Sequence, residues 1–447
     1  MALEYATNNL QDRKRFDWLP ADLNCTLNWE LWSLLFFAVN YRQMIERILL
    51  FISLGGLVTS AIFLLLALIA AIRFRCVTPA TVCSGDGDLP LPAVTLLKPL
   101  YGMEPFVEQR LESFFQQDYP SFELIFGARS ASDPVLKVVD ALRQKHPDVR
   151  VTVVHSGEPT YPNAKVHCLE KMTTAASNPY LVITDSDVHV ASDFVKQVVG
   201  PLVDPSVGLV TCIYRGVPCG GLWSRLEALG MSVEMSTGVL VAELLEGMKF
   251  ALGPCMATRR DLLAQLGGIR VLGDYCSDDF LLGQLTYAAG KRVLLSRHII
   301  EHVAVNLSAQ TSLLHQLRRM KSTRFSRPLG HVGALMTFAM PFGLLGLAAG
   351  LAMGNWKLGF GLLCLGMLNR VVLSIVTGWE VVRDPGSLRF CWLYPVRDLL
   401  GFLLWCASYW GTGIVWRGER YQLIAGGKMA RKSGLSRSAR KSPDAAA

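Results

Sequence analysis

Between residues 92 and 305 short apolar runs alternate with segments of helical periodicity. Strands are predicted at 93–97, 122–128, 149–155, 180–184 and 207–213, and helices at 106–116, 164–177 and 193–203. Strands that alternate with helices in this way predict an α/β class with a mainly parallel sheet covered on both faces. Ligands of such sheets bind beyond the carboxyl ends of the strands. Two acidic positions fall there: Asp133, just past residues 122–128, and Asp185-Ser186-Asp187, where the run 180–184 stops.

A different pattern flanks this region. Residues 48–72 carry no charge and are long enough to cross a bilayer as a helix. Arg73 and Arg75 follow at once, so the excess of cytoplasmic positive charge in membrane proteins places the next domain in the cytoplasm. Three more apolar segments lie at 332–353, 358–378 and 396–416. The second contains Arg370 and the third begins at Arg397-Asp398. Charges at such depth face protein or water, as an intramembrane pair, a snorkelling helix end or a functional group. One span before the domain and three after it put the C-terminus on the far side. Yet Lys428, Arg431, Lys432, Arg437, Arg440 and Lys441 make the tail read as cytoplasmic. A re-entrant segment, or residues 31–39 dipping into the membrane, would restore the parity. The expected organisation is an N-terminal, partly interfacial extension at 1–47, a membrane helix at 48–73 and an α/β domain at 90–305. An amphipathic interfacial helix at 306–328, membrane helices at 331–417 and a basic tail at 418–447 follow.

Composition adds two limits. The net charge of +8 sits mostly in the tail and beside the membrane segments, which suits anionic lipid headgroups and argues against nucleic acid as a partner. Eleven cysteines without a Cys-x-x-Cys pair suit reduced thiols in a cytoplasmic domain.

Several polar constellations carry candidate chemistry. In a continuing strand Asp185 and Asp187 would point to opposite faces, so they converge on one cation only if the chain turns there. A turn or helix cap explains them as well as a metal does. Asp133 precedes Pro134 and reads as a cap or as a ligand contact. Asn163-Ala164-Lys165 opens a helix, where a lysine opposes the helix dipole unless an anion is near; a diphosphate would serve, and so would plain solvation. Asp278-Asp279 opens a helix at 280–289. Acids are good helix starters there, and a carboxylate so placed can also take a proton from a hydroxyl nucleophile. On the helix expected at 309–325, His315, Arg318 and Arg319 share a face with Gln316. That basic face suits a departing diphosphate or a phospholipid surface.

Taken in order, these residues resemble the inverting glycosyltransferases of the ceramide glucosyltransferase type. The resemblance rests on Leu96-Leu-Lys98-Pro-Leu100, Ser113-Phe-Phe115, Asp118-Tyr-Pro120, Asp133-Pro134, Asn163-Ala-Lys165, Asp185-Ser-Asp187, Ser277-Asp-Asp-Phe280, Gln316-x-x-Arg319 and Trp416-Arg-Gly-Glu-Arg-Tyr421. Within that branch, residues 208–217 and 221–229 are similar to the bacterial hopanoid enzymes. The resemblance implies a GT-A-like domain, a UDP-sugar donor, a membrane-lipid acceptor and Mg²⁺ or Mn²⁺. The hopanoid branch implies N-acetylglucosamine moved to bacteriohopanetetrol at a bacterial inner membrane, with ceramide or another lipid as the alternative. It also implies roles. Asp133, Lys98, Lys165 and Gln316 would contact substrate, and Asp185 and Asp187 would bind the metal and diphosphate. Asp279, with Asp278 beside it, would be the base, and Arg319 would steady the leaving UDP. One departure is Met320, which stands where the family carries tryptophan and offers a narrower, flexible wall. Two rival classes remain open at this point: a transporter, on Arg370 and Arg397-Asp398, and an inactive scaffold, on Met320.

Overall fold

The computed structural model describes residues 21–76, 91–305, 308–416 and 418–431. They form two compact units: residues up to Gly55 with Phe342–Cys364, and Gly56–Pro341 with Leu365 onward. Helix α1 (Ala21–Cys76) is continuous, so much of the expected extension is helix rather than a separate interfacial element. Its stretch Asn40–Cys76 is apolar and long enough to cross a membrane.

In the larger unit the alternation read from sequence is present. β1 (Val94–Pro99), α2 (Val107–Phe115), β2 (Phe122–Ala128), α3 (Val135–Lys145), β3 (Arg150–His155), α4 (Ala164–Ala175) and β4 (Tyr180–Ile183) follow in turn. Next come β5 (Val188–His189), α5 (Phe194–Val199) and β6 (Val207–Cys219). A long apolar helix follows in three parts: α6 (Leu222–Leu229), a π-helical stretch Gly230–Met235, and α7 (Ser236–Glu246). β7 (Met256–Arg259), α8 (Arg260–Gln265), α9 (Asp278–Ala288) and β8 (Arg292–Val305) complete the domain. The eight strands lie in the order β3-β2-β1-β4-β7-β6-β8-β5. The pairs from β3 to β4, and β6 with β8, are parallel; β7 runs against both its neighbours. This is the expected α/β, mostly parallel sheet. Leu96, Leu97, Leu124, Ile125, Leu181 and Val182 are at most 2 % exposed, because helices cover both faces. Each such side chain contributes about 1.5–3 kcal/mol by leaving water.

After the domain comes α10 (Ala309–Ser326), whose start is capped by Ser308 Oγ accepting from Thr311 N at 3.2 Å. α11 (Pro328–Gly333) and a 3₁₀ turn lead into α12 (Met340–Ala352), with a 47° bend between the two pieces. α13 (Trp356–Leu373) continues as a π-helical stretch to Val381. α14 (Pro385–Arg389) and α15 (Tyr394–Ser408) follow. In the smaller unit α12 and α13 meet at glycines: a Cβ on Gly350 would lie 2.5 Å from the Gly359 Cα. In the larger unit Asp398 Oδ2 accepts from Ala339 N and Met340 N at 3.0 and 2.9 Å, so it caps the bend. Arg370 Nη1 pairs with Asp398 Oδ1 at 3.0 Å, and Arg397 Nη2 with Glu234 at 2.8 Å. The intramembrane-type charges of the sequence are thus ion pairs with partners in the protein.

Two boundaries differ from expectation. The segment 396–416 is not one membrane helix: α15 stops at Ser408, and Gly411 turns the chain with φ +68°. The residues read as a basic tail do not all trail. β9 (Gly413–Trp416), β10 (Glu419–Ile424) and β11 (Lys428–Arg431) form an antiparallel sheet. Its apolar side, Ile414, Tyr421, Leu423 and Met429, packs with Phe325 of α10 and Cys276 of the α/β domain.

Candidate active site

The paired strands β1 and β4 end side by side, and Thr184 N extends the ladder to Leu97 O at 3.1 Å. The chain then turns at Ser186 and Asp187, which meets the condition for convergence of Asp185 and Asp187. Lys98, at the end of β1, lies under this turn. Its Nζ donates to Asp185 O at 2.6 Å and sits 3.8 Å from the centre of the Phe114 ring. Burial pulls its pKa down to about 7, against Asp187 and Asp185. Lys98 is 1 % exposed, so it supports the turn from below instead of facing a donor.

Asn163 caps α4, its Oδ1 accepting from Val166 N at 3.1 Å. Lys165, in the first turn, finds the anions that the helix dipole demands within the protein. Its Nζ lies 2.8 Å from Asp185 Oδ1 and 3.3 Å from Asp278 Oδ2. Burial disfavours this ammonium, and Asp185 with Asp278 together overcome it, raising its pKa. Asn163 Nδ2 donates to Tyr275 O and to Asp278 Oδ1, at 2.9 and 3.4 Å. Asp278 is therefore held from two sides.

Asp279 is held differently. It accepts from Gly253 N at 2.7 Å and from Phe280 N at 2.8 Å. A Cβ on Gly253 would lie 3.2 Å from Asp279 Oδ2 and 3.4 Å from Asp185 Oδ2, so both carboxylates look onto this glycine. Burial, then the charge of Asp278, pushes the Asp279 pKa up to about 6.

Asp187 meets a histidine that the sequence reading missed. Pairing of β5 with β8 brings His302 opposite Val188, with Nε2 3.4 Å from Asp187 Oδ2. Burial raises the Asp187 pKa, and His302, Arg319 and Lys98 outweigh it, so the net shift is downward. Nothing in the periodicity of 292–305 marks His302; strand pairing alone brings it to the site.

Glu227 of α6 was also missed. It is 2 % exposed and gathers one face of α10. Ser312 Oγ donates to its Oε2 at 3.0 Å, while His315 Nδ1 and Arg319 Nη1 lie 3.0 and 3.5 Å from its Oε1. A lone acid inside an apolar run was the available signal. Gln316 is buried on the same helix and donates to Ser312 Oγ at 2.9 Å. Asp133 is engaged elsewhere, accepting from Gly102 N at 3.0 Å and from Val135 N at 3.1 Å. The structure thus brings Asp185, Asp278 and Asp279 together around Lys165 and Gly253, and Asp187 beside His302. Arg319 is near enough to act on Asp187 electrostatically. Asp133 and Gln316 serve loop and helix contacts.

Residues 55–429 match the family described as glycosyl transferase family 21. The chain belongs to that family. Ceramide glucosyltransferase 1 of Caenorhabditis elegans is 24% identical over 379 residues, covering 80% of this chain and 77% of its own length. The ceramide glucosyltransferase of Komagataella phaffii is 38% identical over 122 residues, 26% of this chain and 24% of its own. Among solved structures, the mannosyltransferase PcManGT from Pyrobaculum calidifontis, in complex with GDP-Man and Mn2+, is 20% identical with a TM-score of 0.47. That likeness covers 81% of this chain and 99% of the other. The family-21 protein is therefore a nucleotide-sugar glycosyltransferase of the ceramide glucosyltransferase-like type, as the motif order implied.

A divalent ion can be tested against these side chains. Asp187 Oδ1 is buried and has no hydrogen-bond partner. The surrounding carboxylate oxygens suit Mg²⁺ or Mn²⁺, while the His302 imidazole faces Asp187 Oδ2. Among the described residues no three His, Cys, Asp or Glu side chains form a ready metal cage. An ion at Asp187 would have to take its other oxygens from diphosphate and water.

Proposed function

We propose that this family-21 enzyme moves glucose from UDP-glucose to a hydroxyl of a ceramide-like membrane lipid, with inversion at the anomeric carbon. The observation that carries the reading is the position of Asp279, with its raised pKa, across Gly253 from Asp185. A base thus stands beside the candidate diphosphate clamp. The acceptor hydroxyl gives its proton to the Asp279 carboxylate as its oxygen bonds to the anomeric carbon. The bond from that carbon to the diphosphate oxygen breaks, and UDP leaves with the electron pair. Lys165 and Arg319 face the charge that develops on the diphosphate. Asp185 and Asp187, with His302 adjacent, would hold Mg²⁺ or Mn²⁺, which when bound supplies further positive charge to the leaving group. Asp278 keeps Lys165 in place.

The reaction belongs at a membrane surface. Apolar helices flank the catalytic domain in the chain, and Arg73 with Arg75 ends α1 where a cytoplasmic boundary is expected. A second reading, transfer of N-acetylglucosamine to bacteriohopanetetrol at a bacterial inner membrane, is favoured by residues 208–217 and 221–229. These lie in β6 and α6, the segment that carries Glu227.

The test is a transfer assay in membranes, offering UDP-glucose and UDP-N-acetylglucosamine against ceramide and hopanoid acceptors, with product identified by mass. Glucosylceramide is the expected product. Transfer to the hopanoid alone would select the second reading. Asp279→Asn is expected to lose at least about 100-fold in turnover. Near-normal turnover in that variant would remove Asp279 from its role, and turnover in excess EDTA would remove the metal.

A further inference from the structure

A cleft opens beside Lys165, past the carboxyl ends of β1, β2 and β3. One side is made by Tyr101, Arg129 and Lys165 of the α/β domain. The other is made by residues that arrive some 250 positions later in the chain: Trp416 of β9, with Glu419 and Tyr421 of β10. We propose that the C-terminal sheet is part of the donor site, and that Trp416 and Glu419 form the wall for the base and ribose of a nucleoside diphosphate. This rests on the donor chemistry proposed above and adds to it a second source of binding residues.

Three observations support it. First, the cleft combines cations, a carboxylate and aromatic side chains, the mixture a nucleotide site needs. Lys165, between Asp185 and Asp278, and Arg129 are its cations. Glu419 lies on the opposite wall, where a carboxylate accepts from ribose hydroxyls. Second, Glu419 is held rigidly. Tyr421 OH donates to its Oε2 at 2.7 Å, and Arg129 Nη1 lies 3.3 Å from its Oε1. Trp416 is likewise backed by Arg318, 5.3 Å from its ring centre, and offers a flat aromatic surface suited to a base. Third, the sheet is fastened to the catalytic machinery. Met429 N donates to Asp274 O at 2.7 Å and Cys276 N to Gly427 O at 3.0 Å, just before Asp278 and Asp279. Lys321 Nζ of α10 donates to Gly413 O at 3.1 Å. One small element therefore touches the cleft, the loop that presents the base and the helix that carries Arg319.

The test uses the full-length protein in lipid nanodiscs with Mn²⁺, and calorimetric titration of UDP and of pyrophosphate. Trp416→Leu, apolar but without a ring, is expected to raise the Kd for UDP by about 5- to 100-fold, the worth of one aromatic stacking partner. Glu419→Ala is expected to weaken UDP in the same range. Neither should change the Kd for pyrophosphate, which a general loss of structure would also weaken. UDP binding within twofold of wild type in both variants, at an unchanged melting temperature, overturns the proposal. If Trp416→Leu does not fold, Glu419→Ala decides by the same criterion. A wild-type protein that binds pyrophosphate but no UDP overturns the donor chemistry itself, a failure distinct from a pair of silent variants.

Discussion

Asp278 and Asp279 are adjacent, and their neighbours give them opposite work. Asp278 faces the Lys165 ammonium and the Asn163 amide, while Asp279 accepts hydrogen bonds from backbone N–H groups. Its pKa of about 6 lies above the ordinary aspartate value of 3.8, so the folded protein binds this proton more tightly than the unfolded chain. The stabilising proton is lost as pH rises through about 6, and the same step would create the proposed base. The kcat/KM profile should therefore climb through about pH 6, with residual activity in Asp279→Asn lacking that limb. A flat wild-type profile from pH 5 to 8 would contradict the assignment. Glu227 makes a second case at this scale. Removing its charge frees Arg319 and His315 from their shared anchor. Glu227→Gln should lower kcat on the order of 10- to 100-fold, through misplacement of Arg319, with little change in donor KM. Steady-state kinetics in which KM rises and kcat holds would point to donor binding instead.

At the scale of elements, α9 must lie close to the segment before Gly253 for Asp279 to reach it. Gly283 makes this approach: a Cβ there would fall 2.3 Å from the Phe250 Cα. Gly283→Ala should cost about 1–3 kcal/mol and displace the start of α9. A lower melting temperature together with a reduced kcat is the expected result, and an unchanged kcat would uncouple this packing from the site. The elements that sequence predicted well share one property. β1, β2 and β4 are largely buried on both faces, so their apolar runs are nearly continuous; their ends, and those of the half-buried edge strand β3, fall within two residues of expectation. β7 is four residues long, and the polar residues Ser296, His298, Glu301 and His302 interrupt β8, so neither gives a periodic signal. The site was legible where a motif kept its residues close in sequence, as in Asp185-Ser186-Asp187 and Asp278-Asp279. Glu227 and His302 were not, because only tertiary packing of α6 on α10 and of β5 on β8 brings them in.

For the whole chain, the C-terminal sheet answers the parity problem left by the apolar segments. Strand β11 is bonded to the loop before Asp278, so residues 413–431 share a side of the membrane with the catalytic domain. An even number of crossings must then lie between β8 and β9. The bent pair Pro328–Ala352 and the helix Trp356–Val381 supply two candidates, while the 15 residues of α15 fall short of a span. A tag after Ala447 and a cysteine label introduced at Ser132 should react from the same face of sealed vesicles. Reaction from opposite faces would break the argument, since β11 could not then reach Asp274.

Asp398 carries a consequence for how this protein is made. The amides of Ala339 and Met340 leave the ribosome 59 and 58 residues ahead of the carboxylate that caps them. Arg370 waits for the same group. During synthesis the bent segment therefore passes through a stage with two uncapped amides and an unmatched guanidinium, and only the arrival of the last helix closes it. Asp398 acts as a late keystone: a nascent chain cut short of it has the parts of the bend without the carboxylate that caps its two amides.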